Sequence, residues 1–239
     1  MRSLDIIVPC YNEAECLSAL YEKIQDVLSC INVSWQIIFV NDGSKDKTLD
    51  VLKLLESKFG RKTVKYLSFS RNFGKEAAIY AGLSFSNADY AVLMDADLQH
   101  PPELLPQMID ILESGYDCCG ARRTSRAGEL KFRSFLSNLF YKIINKVTSM
   151  DLVPGGSDFR MIKHSVVNAM LSLQESERFT KGLLSWVGFT TKWIPYENVE
   201  RTLGKTKWSF KALFNYALNG YISFAIIVKQ LENPKTTFV

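Results

Sequence analysis

Two carboxylates one residue apart, Asp95 and Asp97, follow directly on the apolar run Tyr90-Ala91-Val92-Leu93-Met94 and precede Leu98-Gln99-His100-Pro101-Pro102. Where a strand ends and the chain leaves its pleat, both carboxylates of such a pair can turn toward one divalent ion, and Gln99 can add a neutral oxygen. Hard oxygen donors of this kind suit Mg2+ or Mn2+ bound to a diphosphate, because the ion keeps water and phosphate oxygens in its remaining positions. Three more polar clusters stand at comparable places: Tyr11-Asn12-Glu13, Asn41-Asp42-Gly43 and Arg71-Asn72. Asp42 is suited to accept hydrogen bonds from a base or ribose, with the Tyr11 ring stacked beside it. Taken singly, Asn41 to Ser44 reads equally well as a turn with side-chain caps.

The elements that must position these residues are legible as an alternation. Short β-branched runs at 4–9, 36–40, 64–69 and 90–94 alternate with helix-period stretches at 12–29, 45–58 and 75–85, the first capped by Asn12. Such βα units with short connections predict an α/β fold, three layers deep, with a mostly parallel central sheet. Ligands then bind at the carboxyl ends of the strands, where the polar clusters lie. The first βα turn, Pro9-Cys10-Tyr11-Asn12-Glu13, contains no glycine, and neither Gly74-Lys75 nor Gly204-Lys205 has the second glycine of a phosphate-binding Walker loop. A dinucleotide-binding fold and a P-loop NTPase are therefore disfavoured. A nucleotidyltransferase, which would carry a glycine-rich basic first loop, is disfavoured too.

Past residue 100 a helix is predicted to residue 114, a short strand at 117–120, and then a basic stretch at 122–147. That stretch carries Arg122, Arg123, Arg126, Lys131, Arg133, Lys142 and Lys146 against the single acid Glu129, a local charge of +6. Its apolar residues recur at helical spacing, which fits an amphipathic helix on a membrane surface or lipid phosphate, and equally a core-packing helix with a solvated basic face. The whole 239-residue chain has a net charge of only +4, so histone-like nucleic-acid binding is not expected. Five cysteines without CxxC spacing suggest a reduced compartment, two histidines argue against a His-rich zinc site, and the amino terminus does not read as a signal peptide. No composition break marks a boundary, so one domain is expected.

Val8-Pro9-Cys10-Tyr11-Asn12-Glu13, Val40-Asn41-Asp42-Gly43-Ser44, Ser70-Arg71-Asn72-Phe73-Gly74-Lys75 and Met94-Asp95-Ala96-Asp97-Leu98-Gln99-His100-Pro101-Pro102 resemble the successive motifs of inverting family 2 glycosyltransferases of the GT-A fold. Asp158-Phe159-Arg160 and the later segment from Glu200-Arg201 to Trp208-Ser209 are similar to its polyprenyl-phosphate branch, which includes dolichol-phosphate mannose synthases and bactoprenol glucosyltransferases. The resemblance implies a GT-A domain over 1–223 with C-terminal amphipathic helices, and a polar tail at 224–239. It implies that Pro9, Tyr11, Asn12, Glu13, Asp42, Lys75, Asp95 and Ala96 bind a UDP- or GDP-linked sugar, and that Asp95, Asp97 and Gln99 bind Mg2+ or Mn2+. Arg122, Arg133, Arg201, Lys205 and Lys207 match positions that meet donor or acceptor phosphates. Asp158 corresponds to the carboxylate near the reacting centre, with Arg122 beside it in catalysis.

Breaking a bond between an anomeric carbon and phosphate leaves a diphosphate with added negative charge, which a divalent ion and cationic side chains stabilise. A lipid-phosphate acceptor is already anionic, so Asp158 would chiefly orient; a hydroxyl acceptor would require it as general base. A plain cap after Gly155-Gly156-Ser157 is the bland alternative for Asp158, and a solvated turn is the alternative to a mobile basic flap at 204–209. The expectation is thus hexose transfer from a nucleotide sugar to a polyprenyl phosphate, by a cytoplasmic protein peripheral at the inner membrane face. Self-association is left open. Transfer to a soluble or surface glycan and a non-catalytic nucleotide-sugar or membrane-binding module are the alternatives. Bacterial members of the branch usually continue into two transmembrane helices, whereas the longest charge-free run here, 212–228, has 17 residues and includes Asn215, Asn219 and Gly220. Either a member that only touches the membrane or a chain cut before its anchor fits that pattern.

Overall fold

The computed structural model describes residues 1–124, 153, 155–173 and 178–197. Arg133, Arg201, Lys205 and Lys207, most of the basic stretch, the 204–209 loop, the C-terminal helices and the tail lie outside the described residues. In chain order the elements are β1 (Arg2–Cys10), α1 (Leu17–Leu28), β2 (Val33–Asn41), α2 (Thr48–Phe59), β3 (Val64–Ser68), α3 (Lys75–Phe85) and β4 (Tyr90–Leu93). A 3-10 turn (Pro102–Leu104) leads into α4 (Leu105–Glu113), followed by β5 (Cys118–Arg123), β6 (Gly156–Lys163), α5 (His164–Ser172), α6 (Thr180–Trp186) and β7 (Thr191–Tyr196).

Among the described residues seven strands form one sheet in the order β3-β2-β1-β4-β6-β5-β7. All neighbours run parallel except β6, which is antiparallel to both β4 and β5. Strands buried on both faces must be apolar throughout, and β1 shows how this works. Ile6 and Val8 enter a core with Leu17, Leu20, Ile24, Leu52, Leu105 and Met108, while Ile7 between them enters a second core with Ile79, Leu83, Val166, Val167 and Leu183. Helices α1, α2 and α4 thus cover one face and α3, α5 and α6 the other, giving the expected three layers.

Three local expectations are corrected. Asn12 does not cap α1, which starts five residues later. Asn12 has φ 54 and its Oδ1 accepts the Lys45 amide at 2.7 Å, while its own amide donates to Ser44 Oγ at 2.9 Å. These bonds to the neighbouring βα loop take up the groups that a cap would use. Arg122 and Arg123 end β5 rather than open a helix. Strands β6 and β7 complete the far side of the sheet, where the sequence suggests only the one at 117–120.

Candidate active site

The carboxyl ends of β1, β2, β3, β4 and β5 share one edge of the sheet. Pro9, Tyr11, Asn12 and Glu13 follow or end β1 and are half-buried. Asp42 follows β2, is 3% exposed, and accepts the amides of Phe73 at 2.6 Å and Gly74 at 2.9 Å. Its carboxylate therefore fastens the loop that delivers Lys75 to the start of α3. Burial pushes the Asp42 carboxyl up, against the two amides that favour its charge. Gly43 makes the approach possible. It has φ +62, and a Cβ there would lie 2.2 Å from the Arg71 carbonyl carbon.

The loop after β4 carries Asp95, Ala96, Asp97 and Gln99, with Ala96 buried in the core and the other three half-buried. The Gln99 amide donates to Asp97 Oδ1 at 3.2 Å. Strand β6 enters from the same edge because it runs the opposite way. Its register pairs Leu93 with Arg160, and two further residues along each strand bring Asp158 opposite Asp95. Lys75 closes the gap. Its ammonium lies 2.6 Å from Asp95 Oδ1 and 2.7 Å from Asp158 Oδ2, and Lys181 of α6 lies 3.2 Å from Asp158 Oδ1.

The electrostatics follow from this chain of charges. Burial opposes the charge of Asp158, but Lys181 and then Lys75 outweigh it and hold the carboxyl well below the usual carboxylate range. For Lys75, burial is outweighed by Asp158 and Asp95, which raise its pKa above the ordinary lysine value. Asp95 is lowered in turn, burial being outweighed by Lys75 and His100. His100 is buried and stacks on Phe159, with ring centroids 5.2 Å apart. The Asp95 amide donates to its Nδ1 at 3.1 Å, and its Nε2 lies 4.0 Å from Asp95 Oδ2. Burial lowers the His100 pKa, against Asp95, which raises it.

The donor set fits a hard divalent ion shared with a ligand. Asp95, Asp97 and Gln99 offer oxygens from one short loop. Among the described residues no group of three or more His, Cys, Asp or Glu side chains could hold a metal by itself. A partial protein set of this kind leaves positions for water and phosphate oxygens.

Arg122, expected beside the reacting centre, is exposed at the end of β5. Its neighbour Arg123 is the one turned inward: half-buried, it donates from Nε to the Tyr196 hydroxyl at 2.9 Å. Burial disfavours the Arg123 charge, but Tyr196, Asp97 and Asp95 outweigh it. Strand alternation sends adjacent residues to opposite faces, a signal that could have separated the two arginines had the strand been read to residue 123. Lys181 carries no such signal, since it comes from a helix far along the chain. Among the described residues no helix is long and apolar enough to cross a membrane.

Comparison with known proteins agrees with this geometry. A family model described as glycosyl transferase family 2 matches residues 5–171. CsbB of Bacillus subtilis, a provisionally named glycosyltransferase, is 47% identical over 92% of this chain and 66% of its own length. A bactoprenol glucosyl transferase of Shigella phage SfV is 35% identical over 93% of this chain and 72% of its own length. The chain thus spans about two thirds of the length of these curated relatives. Among solved structures, glucosyl-3-phosphoglycerate synthase from Mycobacterium tuberculosis in complex with Mn2+, UDP and glucosyl-3-phosphoglycerate superposes with a TM-score of 0.60 at 13% identity. The match covers 94% of this chain and 79% of that one. Mannosyl-3-phosphoglycerate synthase from Rubrobacter xylanophilus gives 0.61 at 16% identity, covering 100% and 77%. The architecture is that of the GT-A glycosyltransferases, and by the family model and the similarity of its relatives, the chain belongs to glycosyl transferase family 2.

Proposed function

We propose that this protein transfers a hexose, with inversion, from a UDP- or GDP-linked donor to a polyprenyl phosphate at the cytosolic face of a membrane. The observation that carries the reading is the double hold on Asp158, by Lys75 at 2.7 Å and Lys181 at 3.2 Å. A carboxylate neutralised by two ammonium groups is a weak base, because taking up a proton would forfeit both ion pairs. An acceptor that needed deprotonation would be poorly served by it. An acceptor phosphate brings its own anionic oxygen, so Asp158 is free to serve as an electrostatic anchor. The 35% identity to a bactoprenol glucosyl transferase supports the same acceptor class.

Asp95, Asp97 and Gln99 would hold a divalent ion, Mg2+ or Mn2+, which when bound supplies charge stabilisation for the departing diphosphate. Lys75 and Arg123 add fixed positive charge beside those carboxylates, and Arg122 stands at the rim of the same edge. Tyr11, Asn12, Glu13 and the Asp42-fastened loop would meet the nucleoside, with Pro9 near the end of β1 and Ala96 in the loop after β4.

Incubation of the purified protein with Mn2+, a panel of UDP- and GDP-sugars and undecaprenyl phosphate tests the reading. A sugar-phosphate lipid formed from one donor is the expected product. Transfer only to a soluble glycan hydroxyl would overturn the lipid-phosphate assignment.

A further inference from the structure

Four charged side chains stand in a row at the candidate site: Asp95, Lys75, Asp158 and Lys181. Lys75 is shared between both carboxylates, whereas Lys181 lies on the far side of Asp158 and also reaches the Gly156 carbonyl at 3.4 Å. The spacing of the two lysines is set by their sequence neighbours. Glu76, next to Lys75, accepts both the amide of Thr180 at 2.9 Å and its hydroxyl at 2.5 Å, and Thr180 precedes Lys181. The first turns of α3 and α6 are thereby tied together around Asp158.

A nucleoside diphosphate entering beside Asp95 and Asp97 brings more negative charge to a place that already holds carboxylates. Lys75 has the flexible stem needed to turn toward it. Turning would strip Asp158 of the partner on its Oδ2 while its side chain is only 24% exposed, and an unpaired carboxylate at such depth is strongly disfavoured. Lys181 removes that obstacle. We propose that Lys181 is a positioning residue for donor binding: by holding Asp158 it frees Lys75 to exchange its carboxylate partners for the donor diphosphate. The proposal rests on the nucleotide-sugar reading above.

Calorimetric titration of the full chain with UDP and with GDP, in the presence of Mn2+, tests it. Lys181→Met should weaken binding of the preferred nucleotide by about tenfold, the scale of one lost charge-assisted contact, while Lys181→Arg stays near wild type. Asp158→Asn should make Lys181 dispensable, so the double variant Lys181→Met/Asp158→Asn should bind within about threefold of Asp158→Asn alone. Lys181→Gln, which keeps a hydrogen-bond donor but no charge, reads the same effect if the methionine variant does not fold. Wild-type affinity in the folded Lys181→Met or Lys181→Gln protein, or a loss that Asp158→Asn does not relieve, would overturn the proposal. If wild-type protein binds neither nucleotide, the donor reading itself fails and the proposal falls with it.

Discussion

Replacing Lys75 by methionine removes one ammonium from two carboxylates while keeping most of the unbranched side chain. At 2.6 and 2.7 Å each pair is worth about 6 kcal/mol of gross attraction at an effective dielectric of about 20, most of which is offset by desolvation. Breaking a fully buried pair costs roughly 3–5 kcal/mol. The three side chains are 24–30% exposed and Lys181 still holds Asp158, so the expected loss is smaller, about 2–3 kcal/mol at pH 7, falling mainly on Asp95. For a chain of this size that corresponds to a melting temperature lower by roughly 5–10 °C. The pH dependence has a definite sign. Asp95 and Asp158 are depressed, so their contribution is present above the unfolded carboxylate value of about 4 and is lost as the pH falls through their folded values. Lys75 is raised, so its contribution is full below the unfolded lysine value of about 10. The wild-type advantage is therefore widest between about pH 5 and 9 and narrows below about pH 4. Urea unfolding of both proteins at pH 7 and pH 3.5, in EDTA, measures it. Equal midpoints at pH 7, or a gap as wide at pH 3.5 as at pH 7, would refute the reasoning.

Asp5→Ala should cost about 3 kcal/mol in urea without changing UDP or GDP affinity. Its buried carboxylate accepts Gln36 Nε2 at 2.6 Å, Ser86 Oγ at 2.7 Å and the Asn87 amide at 3.0 Å, all of which would be left without it. Weaker nucleotide binding in a folded Asp5→Ala protein would contradict its purely structural placement. Gly43→Ala is expected to destabilise by about 2 kcal/mol, since φ +62 and the 2.2 Å approach to Arg71 both oppose a Cβ; an unchanged melting curve would count against the described turn. Chelation of divalent ions should abolish UDP and GDP binding, and Asp97→Ala should lower it by at least about tenfold. Full binding in EDTA would remove the metal from the site.

The order of elements through α4 was legible because buried parallel strands must be continuously apolar and their helices one-sided, as at Ile6-Ile7-Val8 and along α1. Boundaries were less so. The start of α1 depends on hydrogen bonds between residues 12–14 and 44–48, which no local propensity encodes. The polar clusters at the strand ends could be placed on one edge from topology alone, since parallel strands all end on the same side. What the sequence by itself determined was therefore the layered fold and the loop carrying Asp95, Asp97 and Gln99, both properties of residues near one another in the chain. Only the tertiary structure decided that Asp158 faces Asp95, that Lys75 and Lys181 share it, and that Arg123 rather than Arg122 turns inward. The first two depend on the reversed direction of β6 and on the Glu76–Thr180 bonds between α3 and α6, and the third on Tyr196 of β7, joining residues as much as 104 positions apart. Electrostatic pairing acts through space, so partners that distant leave no periodicity for a sequence to show.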